Sequence, residues 1–240
     1  MATHGETIGT ARDVAPISPS REPDSLHLRT LSNKRASIEL IILVVLIEVI
    51  MWIVPVAPHP RLAYGVIAAM IALQLCYSFV RDGVGARELG LRFDNLLRAL
   101  KSLAIPLAVF VLVVIFLGFE FGAPRFGKKF FSMLLFVPAW ALLQQYMLLA
   151  FAGRRIRFIA GEGRRGTIAT AALFSLLHLP NPVLTIACAA GGYLWAREYQ
   201  REPNLFANAL THAIASAFLA NSLPGWMLKN MVVGYSYFLR

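Results

Sequence analysis

The chain has 240 residues, of which 58% are hydrophobic and only 15% charged, and its mean hydropathy is +0.62. This composition excludes a soluble globular protein and predicts one domain, an all-α polytopic bundle of membrane helices. A formal net charge of +10 would suggest nucleic acid as the partner of a soluble protein. Here the basic residues separate apolar runs, where orientation in the bilayer explains them better, so we expect no nucleic-acid partner.

The first 37 residues contain Pro, Ser, Thr and scattered charge without an apolar run of signal-peptide length, and predict a disordered cytoplasmic tail. Residues 38–240 are predicted to form the transmembrane domain. A spanning helix needs roughly 20 apolar residues, so we expect about eight transmembrane helices, the eighth being the weakest. The apolar segments lie at about 38–56, 63–80, 99–119, 129–151, 166–180, 182–199, 204–222 and 226–239.

The basic residues predict the orientation of this bundle. Of the 23 Lys and Arg residues, 18 fall in the tail, the second, fourth and sixth loops and the C-terminus, and 5 fall in the other loops. The positive-inside rule then places both termini in the cytoplasm. We expect a multi-pass protein of a bacterial inner membrane. The basic residues of the fourth loop are interpreted as topology signals that could also contact anionic lipid headgroups; they are Arg154, Arg155, Arg157, Arg164 and Arg165.

Three of the apolar segments contain strongly hydrogen-bonding side chains: the pair Gln144-Gln145, His178 and His212. A charge at the centre of a membrane helix costs about 2.5–3.5 kcal/mol, so such groups usually face one another or trapped water. At 1.5 Å per residue, Gln145, His212 and His178 lie roughly 9, 12 and 18 Å from the cytoplasmic ends of their helices. We therefore expect one water-filled pocket that opens towards the cytoplasm and holds all of them.

At these residues the chain resembles the CPBP family of intramembrane proteases, which includes the type II CAAX prenyl endopeptidases and bacterial immunity-type homologues. That family carries Glu-Glu-x-x-x-Arg, Phe-x-x-x-His and His-x-x-x-Asn motifs on three helices. Phe174 and His178 match the second motif, and His212 followed by Ser216 matches the third except at its last position. The resemblance covers roughly residues 130–222 and rests on the order of the motifs, their spacing of about 34 residues and their membrane setting.

The first motif departs from the family, because Gln144-Gln145 replaces the Glu pair and Leu149 replaces the Arg. In the family a glutamate is thought to activate the attacking water, while the histidines and the asparagine orient it and stabilise the oxyanion. A glutamine can hold a water but cannot accept its proton. The combined losses are consistent with a pocket rebuilt as a neutral site.

The resemblance implies a CPBP-type intramembrane endopeptidase that acts on a membrane-associated or lipidated protein near the cytoplasmic face. Its expected site comprises Gln144, Gln145, His178, His212 and Ser216. The alternative is a catalytically silent homologue that binds a membrane protein segment or a lipid as a chaperone or regulator. Both readings make the lipid bilayer a partner, and neither requires a cofactor.

Plainer interpretations of the polar residues stay open. Either histidine could act as the base, although burial disfavours its charged form, or could simply bond between helices. Glu48 is the other candidate carboxylate, and we interpret it first as a packing residue; Glu39 lies at a helix end, where interface water would solvate it. A zinc site built on the two histidines lacks an evident third ligand.

The two cysteines, Cys76 and Cys188, lie in apolar segments and are expected to be packing residues rather than a disulfide.

Overall fold

The computed structural model describes residues 31–122 and 124–239, which fold into helices and connecting turns without a strand among them. Most of the predicted tail lies outside the described residues. Its last part is ordered helix, because the Ser32 hydroxyl accepts a hydrogen bond from the Arg35 amide at 3.2 Å and so caps a helix that begins at Asn33 rather than at 38.

The chain forms nine α-helices over the described residues, and the fourth and fifth belong to one continuous helical stretch. Polar side chains fix the starts of two of the helices, since Asn181 accepts from the Leu184 amide at 3.2 Å and Asn204 accepts from the Ala207 amide at 2.8 Å. The helices are α1 (Asn33–Glu48), α2 (Pro60–Asp82), α3 (Leu96–Phe121), α4 (Lys128–Gln145), α5 (Gly153–Ala160), α6 (Arg164–Leu176), α7 (Pro182–Arg201), α8 (Leu205–Ser222) and α9 (Gly225–Leu228). Irregular helical turns extend α1 through Val49–Ile53 and Val54–Val56, and the π-helical stretch Tyr146–Ala152 joins α4 to α5.

Among the described residues, four helical stretches are long and apolar enough to cross a membrane: Asn33–Val56, Pro60–Asp82, Leu96–Phe121 and Lys128–Ala160. They indicate an integral membrane protein. The fourth is longer than expected, because the helix continues past residue 151 and carries Arg154, Arg155 and Arg157 in its last turns rather than in a loop.

The bundle is organised around α8, which packs against α3 and α4, while α6 packs against α7 and α5. Small residues allow the closest approaches. Ala141 on α4 is in contact with Ala209 and Ala213 on α8, and a Cβ placed on Gly118 of α3 would lie 2.6 Å from the carbonyl oxygen of Ser222. We call the end of the bundle at which α1, α3, α6 and α8 begin the basic end, and the opposite end the far end.

Hydrogen bonds join two connecting segments of the chain at the basic end. The Leu205 amide donates to the carbonyl of Gly90 at 2.8 Å, and the Asn95 amide donates to the carboxylate of Glu202 at 2.7 Å. The bond from Asn95 holds the pKa of Glu202 below its ordinary value. These contacts fix the residues after α2 against the turn between α7 and α8.

A buried network of charges joins α1, α2 and α5 at the basic end. Arg155 is 1% exposed, and its Nε donates to Glu39 at 2.7 Å while Nη2 also contacts Glu39 and donates to Ser78 at 2.9 Å. Arg35 completes the network with bonds to Glu39 at 2.7 Å and to Asp82 at 2.8 Å. Glu39 is therefore a buried ion-pair partner and not a solvated helix end, and Arg155 is buried together with it.

The predicted eighth helix is not formed. After α9 the chain passes through short helical turns, because Pro224 interrupts the backbone and Lys229, Asn230 and Met231 adopt positive φ angles. This C-terminal segment stays at the far end, where the Gly234 amide donates to the carbonyl of Leu179 at 2.9 Å. The end of the described chain thus lies opposite to its start, in contrast to the expectation that both termini share one side.

Candidate functional site

His212 and Gln145 meet in the interior of the bundle. His212 is 8% exposed and Gln145 is fully buried, and the Gln145 Nε2 lies 3.1 Å from the His212 Nδ1. An amide nitrogen only donates, so Nδ1 of His212 accepts this bond and the ring proton lies on Nε2. His212 therefore presents an N–H donor on its other side. The Gln145 Oε1 is buried without a hydrogen-bond partner among the described residues.

His178 lies just beyond the last turn of α6, in the turn that leads to α7. Its Nδ1 donates to the carbonyl of Phe174 at 2.6 Å, one of the carbonyls that a helix end leaves unpaired. A carbonyl only accepts, so the proton lies on Nδ1 and Nε2 carries the free lone pair. His178 is thus a helix cap on one side and a hydrogen-bond acceptor on the other.

Aromatic rings hold the two imidazoles in place. The Phe174 ring centroid lies 4.7 Å from that of His178 and 5.8 Å from that of His212. The Trp195 ring packs on His212 at 4.5 Å, and its Nε1 donates to the Thr211 hydroxyl at 3.1 Å. Trp195 and Thr211 were not expected at the site, and the only signal for them in the sequence is a hydrogen-bonding side chain within an apolar helix.

A cavity of about 410 Å³ brings together four of the five expected residues. It lies between α3, α4, α7 and α8, and its wall includes Gln144, His178, His212 and Ser216. Ser216 follows His212 by one helical turn and so lies on the same face of α8. Gln145 is not in the wall, because consecutive residues on a helix point about 100° apart; it supports His212 from behind.

A second, more apolar cavity of about 450 Å³ lies on the other side of α4, towards α1 and α2. The two cavities share four wall residues: Trp140, Gln144, His178 and Val233. Gln144 and His178 are therefore the polar groups at the boundary between two largely hydrocarbon-lined spaces. A group bound there could extend an apolar chain into either cavity.

The structure does not bear out the expected opening of the pocket towards the basic end. Leu103 and Trp195 of the cavity wall belong to a buried apolar cluster that continues towards that end through Leu89, Tyr199 and Leu205. At the far end the cavity is bounded by Met231 and Val233. Trp140, in the part of the wall that α4 contributes, is 56% exposed. We call this space between α3, α4, α7 and α8 the lateral cavity.

The cavity is electrostatically neutral. None of the described residues that line it is an Asp or a Glu. Glu48 lines neither cavity, and Leu149, at the position of the family's Arg, is fully buried in the apolar cluster. Cys188 lines the cavity as a free cysteine. Within the described part of the chain, no three His, Cys, Asp or Glu side chains are placed to hold a metal ion.

Comparison with known proteins finds no match: no protein-family model, curated protein or solved structure is similar to this chain. The resemblance to CPBP proteases therefore depends on the motif residues alone.

Proposed function

We propose that this chain is a CPBP-type intramembrane endopeptidase that cleaves a membrane-associated or lipidated protein within the lateral cavity. The observation that carries this proposal is the complementary state of the two imidazoles that line one cavity, because Nε2 of His178 is left as an acceptor and Nε2 of His212 as an N–H donor. Hydrolysis of a peptide bond requires both a base and a donor.

In the proposed reaction, His178 Nε2 accepts a proton from a water whose oxygen attacks the carbonyl carbon of the peptide. The carbonyl oxygen becomes an oxyanion, to which His212 Nε2–H and the Ser216 hydroxyl donate. The proton held by His178 then passes to the leaving nitrogen as the C–N bond breaks. Trp195 and Gln145 act as positioning residues, because they contact His212 and not the reacting atoms.

The proposal includes an orientation in a bacterial inner membrane. We propose that α6, α7 and α8 cross together with the four long apolar stretches, which gives seven crossings with the basic end in the cytoplasm. Of the 22 Lys and Arg residues other than Arg240, 17 belong to the tail or to this end. The C-terminal segment then lies at the opposite face, and the positive-inside rule is still satisfied.

Replacement of His178 by glutamine tests the proposed protease. The variant keeps a polar side chain but loses the basic ring nitrogen, so turnover should fall about 10²–10⁴-fold. The measurement is sequencing of the new peptide termini that appear in membranes of cells expressing the wild type or the variant at equal levels. His59→Gln is the matched control, since His59 is exposed and lies away from the cavity. Termini that persist at wild-type levels in His178→Gln would exclude the proposal.

A second candidate function is favoured by the absence of a carboxylate from the described cavity wall. In that case the chain is a catalytically silent CPBP homologue, which binds a membrane protein segment or a lipid in the cavity as a chaperone or regulator. A neutral, hydrocarbon-lined space with a few hydrogen-bonding groups suits such a ligand.

The variants Gln144→Glu and Gln145→Glu separate the two candidates. For a silent homologue, the wild type should produce no new termini and Gln144→Glu should gain turnover, because it places a proton acceptor in the cavity wall. Gln145→Glu should instead lower the thermal stability, since it buries a carboxylate in place of a fully buried amide. Turnover by the wild-type protein would rule out the silent candidate.

A further inference from the structure

A third cavity, of about 440 Å³, lies at the basic end and is separate from the two described above. It is enclosed by the loop after α2, the last turns of α5 and the end of α7. Unlike the other two, it has charged side chains in its wall. These are Arg154, Arg157, Glu88 and Glu162.

Arg157 is a half-buried cation in this cavity. Its guanidinium lies 5.8 Å from the Tyr199 ring centroid, and it makes no hydrogen bond or ion pair with any described residue. A guanidinium has five N–H donors, and removing them from water without an acceptor costs free energy. Arg157 is therefore arranged to receive an acceptor from outside the described chain.

Arg154 adds a second guanidinium, and its positive charge is only weakly balanced by a nearby carboxylate. The carboxylate nearest to it is that of Asp82, at 4.0 Å, and Asp82 is already bonded to Arg35 at 2.8 Å and lies 3.5 Å from Arg155. One carboxylate is thus shared by three arginines. Two guanidinium groups that line one concave site are suited to binding phosphate oxygens, because each offers several N–H donors and a permanent positive charge.

The walls of this cavity are fixed by hydrogen bonds. The Tyr199 hydroxyl donates to the carbonyl of Leu89 at 3.0 Å. The Gln200 side chain accepts from the Gly163 amide at 3.0 Å and donates to the Thr167 hydroxyl at 2.9 Å. These hydrogen bonds hold three segments of the chain together around the two arginines, so the shape of the cavity is fixed by the fold.

We propose that this cavity binds a phosphate group between Arg154 and Arg157. Both arginines lie on α5, in the last turns of the fourth apolar stretch, at the depth where lipid headgroups meet water. Glu88 and Glu162 in the same wall disfavour a doubly charged anion, so a singly charged phosphodiester of a lipid fits better than free inorganic phosphate. The ligand is thus a phospholipid headgroup at the basic end, distinct from any substrate in the lateral cavity.

The test uses the full-length protein, purified in detergent and stripped of lipid. We expect short-chain phosphatidylglycerol to raise the unfolding temperature, and inorganic phosphate at the same concentration to raise it less. Diacylglycerol with the same chains controls for occupation of the apolar cavities, and should give a shift that does not depend on Arg157. Arg157→Gln should weaken the phospholipid effect roughly tenfold in concentration, because charge-assisted bonds to the phosphate are lost.

Matched variants keep this result interpretable. Arg164→Gln removes an exposed arginine that is not in the wall and should bind lipid as the wild type does. Arg157→Lys retains the charge without the planar fork and should bind with intermediate affinity. Equal stabilisation by inorganic phosphate would overturn the assignment to lipid. Equal stabilisation by diacylglycerol, or an unchanged response in Arg157→Gln, would overturn the phosphate site itself.

Discussion

Replacing Arg155 with leucine is expected to lower the free energy of unfolding by about 3–5 kcal/mol, because it breaks a buried charge network from one side. In the wild type, Oε2 of Glu39 accepts hydrogen bonds from Nε and Nη2 of Arg155, and the Ser78 hydroxyl accepts one from Nη2. The variant loses all three bonds. It also removes the contact of the guanidinium with the Phe151 ring, whose centroid is 3.6 Å from Cζ. The measurement is thermal or denaturant unfolding of the purified protein in detergent.

Two further variants test the cause of that loss. Arg164→Leu removes an exposed arginine from the next helix and should change stability by less than about 0.5 kcal/mol. The double variant Glu39→Leu/Arg155→Leu should recover part of the loss, since it removes the stranded carboxylate together with its partner. If Arg155→Leu unfolds at the wild-type temperature, the network does not stabilise the attachment of α1 and α2 to α5.

The first seven apolar runs all lie in helices, as predicted, but the eighth does not, because apolar content and length are properties of a segment taken alone whereas its final packing is not. The same reasoning failed where a charge is neutralised by a residue far away in sequence. Arg155 looked like the start of a loop, yet its partner Glu39 lies on α1 and Asp82 ends α2. Only the packing of α1 against α5 brings these groups together, and no local pattern around residues 153–160 carries that information.

The sequence predicted which polar residues of the candidate site come together, but not what surrounds their cavity. Polar side chains isolated in apolar segments had to face inwards, and Gln144, His178, His212 and Ser216 do share one cavity wall. Depth along each helix could not reveal that an apolar cluster with Tyr199 and Leu205 packs between the cavity wall and the basic end. Nor could the chain order show that the weak segment after residue 224 would fold across the far end.

The neighbouring glutamines show a similar limit. In the sequence, Gln144 and Gln145 were treated as a pair. In the fold, Gln144 lines the cavity while Gln145 forms a hydrogen bond with His212. The helical turn angle predicts that two consecutive residues cannot face the same space. It does not say which of the two faces the cavity, because that depends on the rotation of α4 against α8.

Helices α3 and α8 are in close contact at Gly118. Gly118→Ala should destabilise the protein by about 1–3 kcal/mol, the cost of adding a methyl group to a tightly packed interface. The new Cβ would lie 2.6 Å from the carbonyl oxygen of Ser222, which is backbone and cannot rotate away. The two helices must therefore separate, which moves Leu219, a residue of the cavity wall, away from α3.

Gly65→Ala is the matched control for this prediction, because Gly65 lies in the apolar stretch of α2 and its added Cβ would meet no atom within 4 Å. It should be neutral or slightly stabilising, since alanine is the better helix former. Unfolding of both variants in the same detergent gives the comparison. A Gly118→Ala protein as stable as Gly65→Ala would mean that α3 is free to shift against α8, and that the lateral cavity does not depend on their contact.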